Sequence, residues 1–275
     1  MRTQAAKAAL FRDLHQRPGI LLLPNPWDAG TAKILESLGF EALATTSLGL
    51  ANTLGRPDGD GSVSRAELLA NCRLISSATE LPVNADLENG YADDPDAAAS
   101  IIRDAAANGI VGGSIEDATG DPARPIYAFD HAVARVRGAV AVARSLPFPF
   151  TLTARAENLL HGRDDLDDTI RRLRAFEAAG ADVLYAPGLR DLDTIRRVVS
   201  SVGKPVNVVM SMADPALTAE DLAGVGVKRV SVGGSLSRLA LAAFIKGARD
   251  MKERGSFKWM HDTVPTRELR RIFKP

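Results

Sequence analysis

The amino-acid sequence predicts an α/β fold, a (β/α)8 barrel of the TIM type, and three observations support that prediction. Eight short apolar runs alternate with helix-like segments along the whole chain, which is the pattern of this barrel. The runs are almost continuously hydrophobic, as parallel strands buried on both faces are. Several helix-like segments end in glycine shortly before the next run. A doubly wound open sheet is the alternative that shares this alternation.

The eight predicted strands follow one another in order along the chain. Between them, residues 64–79 and 164–182 show the clearest helix signals. The first segment starts at Ser64, a good N-cap, and the second has acids in its first turn and Gly180 near its end. The strands are ILLLP (20–24), ALATTS (42–47), PVNADL (82–87), GGSIED (112–117), FTLTARA (150–156), DVLYAP (182–187), PVNVVM (205–210) and RVSVGG (229–234).

The chain continues beyond the eighth strand–helix unit. The tail, from about 256 to 275, carries apolar residues on one face of a helix-like segment, so we expect an extra C-terminal helix that covers an apolar surface. No linker rich in Pro, Gly or Ser divides the chain. The sequence therefore predicts one domain over residues 1–275, with the barrel itself spanning about 1–255.

Composition and charge exclude several classes of function. The 275 residues are 45% apolar, and the formal net charge is zero, so no basic field favours nucleic acid or an anionic membrane as a partner. The single cysteine, Cys72, excludes an internal disulfide and fits a reducing compartment. The N-terminal segment is interrupted by charges, unlike a secretory signal, and no apolar run is long enough to span a bilayer. We therefore expect a soluble cytoplasmic protein.

Acidic residues lie at or after the ends of three successive predicted strands. The carboxyl ends of barrel strands meet at one rim, where the active sites of such barrels lie. Like charges gathered there raise one another's pKa, and a divalent cation relieves their repulsion. Oxygen donors without a cysteine or an adjacent histidine pair favour Mg²⁺ or Mn²⁺ over Zn²⁺. The candidate metal ligands are Asp58, Asp86, Glu88 and Glu116.

Each of these features also has a purely structural explanation. Asp86 and Glu88 precede Asn-Gly, which is a turn signal, and acids after a turn commonly cap the next helix. Arg155, at the end of the fifth strand, is alternatively only the ion-pair partner of Glu116 or Glu157. The recurrence of acids at successive strand ends is what favours the metal site.

Three further polar residues are candidates for the chemistry. Glu157 follows Arg155 closely and is predicted to orient its guanidinium. His161 lies in the same loop and titrates near neutral pH, so it is a candidate proton donor; a solvated loop histidine is the alternative. Asn207 lies inside the seventh strand and is predicted to point into the mouth of the barrel and bind substrate.

The motifs TTSLGL, DLENGY, IED and TARAE, in this order and spacing, resemble the isocitrate lyase/phosphoenolpyruvate mutase superfamily. The resemblance covers nearly the whole chain. It implies a (β/α)8 barrel and a homo-oligomer, tetramer or dimer, in which neighbours exchange the last helix. It also implies that Asp86 holds Mg²⁺ directly or through water, with Asp58, Glu88 and Glu116 in the surrounding shell.

The resemblance further implies the class of substrate. An α-oxo or α-hydroxy acid would chelate the metal, with Arg155 as a fixed cation beside it. Donors to its carboxylate would come from Thr46, Ser47 and Leu48. The shared chemistry is a bond broken or formed beside an enolate-like pyruvate unit. This implies a carbon–carbon lyase similar to isocitrate or methylisocitrate lyase, or an oxaloacetate decarboxylase.

The sequence also departs from the superfamily's patterns. The loop after IED, ATGDPARPIYAFD (118–130), has neither the K-[KR]-C-G-H motif of the lyases nor the Lys- and Asn-bearing loop of the phosphonomutases. Cys72 lies on the apolar stripe of a helix, so we expect it to be inert. Two alternatives stay open: an enzyme of the P–C bond, such as phosphonopyruvate hydrolase or phosphoenolpyruvate mutase, and a non-catalytic metabolite-binding barrel.

Overall fold

Eight parallel strands form one sheet in the computed structural model, which describes residues 2–274. The strands are β1 (Leu21–Leu23), β2 (Leu43–Ala44), β3 (Val83–Asp86), β4 (Gly112–Glu116), β5 (Thr151–Arg155), β6 (Val183–Tyr185), β7 (Val206–Val209) and β8 (Arg229–Ser231). Their order in the sheet is β1-β8-β7-β6-β5-β4-β3-β2. The Ala44 amide donates to the Pro24 carbonyl at 3.0 Å, which joins the two outer strands. The predicted (β/α)8 barrel is confirmed.

Helices follow the strands and surround the barrel. One helix precedes the first strand, and the tail contains a short 3-10 helix, Lys258–Asp262, before the last α-helix. The α-helices are α1 (Gln4–Gln16), α2 (Ala29–Ser37), α3 (Ser47–Thr53), α4 (Arg65–Ser77), α5 (Pro95–Ala107), α6 (Phe129–Ser145), α7 (Leu166–Ala178), α8 (Leu192–Ser200), α9 (Ala219–Gly224), α10 (Ser235–Arg254) and α11 (Thr266–Ile272).

The strands are shorter than the apolar runs that predicted them. The largest difference is at β2, because Thr46 leaves the sheet and becomes the N-cap of α3, its hydroxyl accepting from the Gly49 amide at 3.3 Å. Ser64 caps α4 as expected, in a capping box with Glu67. Thr46 therefore serves the next helix rather than the ladder.

Helix α1 closes the amino-terminal end of the barrel. Phe11 and His15 of this helix are both buried, and a Cβ placed on Gly112, the first residue of β4, would lie 2.7 Å from the Phe11 ring. Only glycine leaves room for that ring. The buried stripe predicted for α4, Leu68, Cys72 and Ile75, is also observed.

The carboxyl-terminal region exposes much apolar surface. Of the twenty residues of α10, only Ser237 and Gly247 are buried. The predicted tail helix is present as α11, which packs against α2 of its own chain, while exchange between subunits stays a prediction. Within residues 2–274, no helix combines the length and the apolar character needed to cross a bilayer.

Candidate active site

A cavity of about 570 Å³ opens at the carboxyl ends of the strands, between the loops that follow β2, β3, β4 and β5. Seven of the residues proposed from the sequence line it together, although they are up to more than a hundred positions apart in the chain. They are Ser47, Asp58, Glu88, Glu116, Arg155, Glu157 and His161.

Arg155 is the centre of this site. Its Nη1 lies 3.0 Å from Asp86 Oδ1 and 3.0 Å from Glu116 Oε2, and its Nε donates to Glu157 Oε1 at 2.8 Å. The side chain is only 12% exposed. Burial alone would lower its pKa, but the three acids raise that pKa well above its usual value. The guanidinium is therefore a permanent cation held in a fixed orientation.

Glu157 supports Arg155 from below the cavity surface. Its side chain is 1% exposed, and its backbone amide donates to Asp117 Oδ1 at 2.8 Å. Burial raises its pKa to about 7 against the attraction of Arg155. Its contact with Nε fits the predicted role of orienting the guanidinium. Asp117 itself turns away and pairs with buried Arg172 at 2.9 Å, which is a structural contact.

Asp86 joins the ends of three strands. Its backbone amide donates to Thr45 Oγ1 at 2.9 Å, and its Oδ2 accepts from the Ser47 amide at 3.4 Å. The Ser47 hydroxyl in turn donates to Asp58 Oδ2 at 3.4 Å. Partial burial, and then the charge of Asp86, raises the pKa of Asp58.

Glu88 lies in a tight turn directly after β3. Glu88 and Tyr91 have φ of 49° and 61°, a region that residues other than glycine seldom adopt. The Tyr91 hydroxyl donates to Glu88 Oε1 at 2.7 Å. Burial raises the pKa of Glu88 to about 7, and the neighbouring charges of Asp86 and Asp58 act in the same direction.

Arg135 holds this turn in place, a role that the sequence analysis did not predict. It is 1% exposed and donates to three backbone carbonyls of the loop after β3, those of Asn89, Ala92 (2.6 Å) and Asp93 (2.7 Å). The strained turn is thereby fixed from the side of α6.

The four proposed ligands suit Mg²⁺ by their chemistry. They supply carboxylate oxygens only, and the pKa of Glu116, like those of Asp58 and Glu88, is raised chiefly by burial. A cation among them would offset both burial and repulsion. Within residues 2–274, no three Asp, Glu, His or Cys side chains form a ready-made ligand cluster, since Asp86 and Glu116 face Arg155.

Three of the proposed substrate-binding residues have other contacts as well. Thr46 caps α3, and Leu48 packs so closely on Gly234 that any Cβ there would lie 2.3 Å from it. Asn207 is 1% exposed, with its amide bonded to Ser231 and Arg229, and it points into the barrel interior, where it lines a smaller cavity. His161 is exposed at the edge of the main cavity.

A second, smaller cavity of about 50 Å³ lies inside the barrel mouth and contains two residues that the sequence analysis missed, Tyr185 and Arg229. The Tyr185 ring lies under Arg155, with 4.9 Å from Cζ to the ring centroid. Both residues lie in buried strands, and the only indication of them in the sequence was a single polar residue within an otherwise apolar run. Asp86, Arg155 and other rim residues line this cavity too.

Known proteins resemble this chain over most of its length. The sequence model of the family described as phosphoenolpyruvate phosphomutase matches residues 11–252. An uncharacterized protein of Mycobacterium tuberculosis H37Rv is 33% identical over 246 residues, 88% of this chain and 89% of its own length. The 2-methylisocitrate lyase of Shewanella oneidensis is 29% identical, covering 94% of this chain and 89% of that protein. An oxaloacetate decarboxylase of Bradyrhizobium diazoefficiens is 29% identical, covering 79% of this chain and 75% of its own.

A solved structure is more similar still. The crystal structure of a Burkholderia cenocepacia J2315 protein, which carries the provisional description lyase/mutase, superposes with a TM-score of 0.96. The two chains are 55% identical, and the match covers 99% of this chain and 97% of the other.

Proposed function

The chain belongs to the phosphoenolpyruvate phosphomutase family, and from that membership we propose that it is a Mg²⁺- or Mn²⁺-dependent lyase that cleaves a carbon–carbon bond in a small α-oxo or α-hydroxy acid. The observation that carries this proposal is Arg155, a permanent cation in contact with three carboxylates at the rim of an open cavity. Such an arrangement suits an anionic substrate bound beside a divalent cation.

In this proposal Arg155 binds the carboxylate of the substrate or the oxyanion that develops beside it. Nε and Nη1 contact protein acids, whereas Nη2 makes no hydrogen bond to any residue within 2–274. Two N–H groups are thus left for substrate oxygens. Glu157 keeps the guanidinium plane in place through Nε, and further donors to the carboxylate come from Thr46, Ser47 and Leu48.

The proposed metal site consists of Asp86, directly or through water, with Asp58, Glu88 and Glu116 around it. When bound, the ion supplies a Lewis acid beside the reacting carbonyl or hydroxyl oxygen. The tight turn held by Arg135 presents Glu88 to the same cavity. The Ser47 hydroxyl holds Asp58 near Asp86.

His161 is the proposed proton donor. Partial burial, and then the charges of Arg155 and Arg163, lowers its pKa, so its imidazole is neutral at pH 7 and takes up a proton before giving one. It lies on an exposed loop at the edge of the cavity, where it remains in exchange with solvent.

The 118–130 loop favours carbon–carbon over P–C chemistry. It forms a small hairpin closed by the bridge between Ala118 and Ile126, and Thr119 lies against the main cavity. The loop contains no Lys, Asn or Cys. The residues that phosphonomutase-like chemistry would take from this position are therefore lacking.

A turnover screen tests the proposal. Purified protein with Mg²⁺ is offered oxaloacetate, isocitrate, methylisocitrate, 2,3-dimethylmalate and phosphonopyruvate, and the oxo-acid products and inorganic phosphate are measured. We expect carbon–carbon cleavage of one carboxylic acid and no phosphate release. Release of phosphate from phosphonopyruvate, with no cleavage of the other acids, would indicate an enzyme of the P–C bond instead. Binding without any turnover would indicate a metabolite-binding protein.

A further inference from the structure

One tyrosine at the mouth of the barrel has a hydroxyl without a partner. The chain contains three tyrosines. The hydroxyl of Tyr91 donates to Glu88 at 2.7 Å, and that of Tyr127 donates to Asp93. The hydroxyl of Tyr185 makes no hydrogen bond within the described part of the chain. Because a tyrosine hydroxyl inside a protein usually finds a partner, this free donor calls for an explanation.

The register of the sheet fixes where the side chain of Tyr185 points. Tyr185 is the last residue of β6, and it is paired with Arg155 of β5 on one side and with Asn207 of β7 on the other. Side chains of residues paired in this way lie on the same face of a sheet. Tyr185 therefore points into the barrel, where it lines the small cavity together with those two residues.

Two arginines accompany Tyr185 in this cavity, and neither accepts its hydrogen. The guanidinium of Arg155 lies over the phenol ring, and Arg229 lines the same cavity. Both guanidinium groups have donors only. The amide of Asn207 is engaged at both ends, since its oxygen accepts from Arg229 and its nitrogen donates to Ser231. The hydrogen of the Tyr185 hydroxyl is thus left for a molecule bound in the cavity.

The hydroxyl of Tyr185 keeps its proton at neutral pH. Burial raises the pKa of Tyr185 above its ordinary value, although the charge of Arg155 acts in the opposite direction. A neutral phenol donates a hydrogen bond to a negative oxygen without giving up its proton. Tyr185 therefore suits a role as a neutral donor rather than as an acid.

Tyr185 and Arg155 face the same bound molecule. Arg155 lines the main cavity as well as the small one, so it lies where the two cavities meet. Its Nη2 and the Tyr185 hydroxyl both lack a hydrogen-bond partner among residues 2–274. Fixed donors aimed at an oxygen on which charge develops stabilise the transition state more than the ground state.

We propose that Tyr185 is a catalytic residue that donates a hydrogen bond to the oxyanion developing on the substrate beside Arg155. No proton is transferred in this contact, because the O–H bond of the phenol stays intact while the negative charge forms on the substrate oxygen. The inference rests on the proposed function and adds a catalytic residue to it. His161 keeps the separate role of proton donor.

Two ligands that differ in the charge of one oxygen test this role. Oxalate has a negative oxygen where the enolate of pyruvate has one, whereas pyruvate itself has a neutral carbonyl oxygen there. Calorimetry with Mg²⁺ present measures both ligands on the wild type and on Tyr185→Phe, which keeps the ring and loses only the hydroxyl. We expect the variant to bind oxalate at least about tenfold more weakly, the scale of one hydrogen bond to a charged group, and to bind pyruvate nearly as well as the wild type. For a substrate found in the turnover screen, kcat should fall by about a hundredfold, the scale of one oxyanion donor, with little change in KM.

Tyr127→Phe is the matched control, because it removes the same hydroxyl from a tyrosine that lines neither cavity. It should lower the melting temperature, through the lost bond to Asp93, and keep the affinity for oxalate. Tyr185→Phe should keep the melting temperature, since it loses no hydrogen bond within the chain.

Three results would overturn the role of Tyr185 and leave the proposed function standing. They are an unchanged affinity of Tyr185→Phe for oxalate, an equal loss of affinity for both ligands, and equal affinities of the wild type for the two. A wild-type protein that binds neither ligand overturns both the role of Tyr185 and the proposed function.

Discussion

Arg155 places one guanidinium between three carboxylates, and lysine cannot reproduce those contacts. A lysine keeps the charge but loses the planar fork. We expect Arg155→Lys to lower kcat/KM by at least about a hundredfold, the scale of losing one preorganised oxyanion donor. Arg172→Lys is the matched control, because Arg172 is buried between Asp117 and Asp168; it should lower the melting temperature with a far smaller loss of kcat/KM. Nearly full activity of Arg155→Lys would show that Arg155 is only a structural ion-pair partner.

Asp86 is the residue on which the metal proposal depends. Asp86→Ala should abolish both Mg²⁺ binding and turnover, because it removes the carboxylate at the meeting point of the strand ends. The circular dichroism spectrum should be unchanged, since Asp86 is not a core residue. Asp94→Asn is the control: Asp94 caps α5 through the Ala97 amide at 2.9 Å, and asparagine caps equally well. Full activity in excess chelator would exclude the metal.

Cys72 should be dispensable for chemistry. It is 0% exposed, and burial raises the pKa of its thiol to about 12, so the reactive thiolate is not formed at neutral pH. Cys72→Ala leaves a small void, and we expect a loss of about 1 kcal/mol in the free energy of unfolding with turnover unchanged. Thermal unfolding and steady-state kinetics measure the two. A folded but inactive variant would show that the thiol takes part in the reaction.

At the scale of elements, α1 makes stability depend on pH. Burial, followed by the charge of Arg229, lowers the pKa of His15 from 6.5 to about 3. As pH falls below 6.5 the unfolded chain binds this proton and the folded protein does not. The contribution of His15 to stability is therefore complete above pH 6.5 and is lost towards pH 3, by at most about 1.4 kcal/mol per pH unit.

The variant His15→Gln isolates this effect, because glutamine accepts a hydrogen bond but does not titrate. Between pH 7 and pH 4, chemical denaturation should show a smaller loss of stability in His15→Gln than in the wild type. His261→Gln, in the exposed tail, should follow the wild type. Parallel curves for all three proteins would contradict the assignment.

How far the sequence predicts these elements depends on the range of the forces involved. All eight strands were located from local hydrophobicity, but their predicted ends extended up to three residues beyond the observed ends. Whether a residue such as Thr46 stays in the sheet or caps a helix depends on the helix that follows it. The residues at the rim could be predicted, because the carboxyl ends of the strands converge there. The contact between Arg229 and His15 could not be predicted, since it joins positions 214 residues apart and depends on which face of β8 points into the barrel.

At the scale of the whole molecule, the exposed face of α10 needs a partner. Leu241, Phe244 and Ile245 are 40%, 73% and 49% exposed, and their spacing places them on one face of the helix; exposed apolar surface of this kind marks interfaces. We propose that a second copy of the chain covers it, in a homodimer or homotetramer, with no nucleic acid or membrane partner. Light scattering after gel filtration should give a multiple of 29.2 kDa.

Substitution on that face tests the interface. Phe244→Asp should shift the protein towards the monomer, because it places a charge in an apolar contact. Leu38→Asp, at an equally exposed leucine beyond the end of α2, should leave the mass unchanged. A wild-type protein that is monomeric at every concentration tested would refute the proposal.

The closure of the barrel has a consequence for biosynthesis. β1 pairs with β8, and His15 meets Arg229 across 214 residues of chain. A ribosome adds about 5–20 residues per second, so α1 and β1 wait roughly 10–40 s after synthesis before their partners exist. During that time Phe11, Leu21 and Leu23 cannot be buried, because the closed barrel against which they pack has not yet formed. The nascent chain therefore offers an apolar amino-terminal segment to chaperones, and it hides that segment only when the last strand emerges.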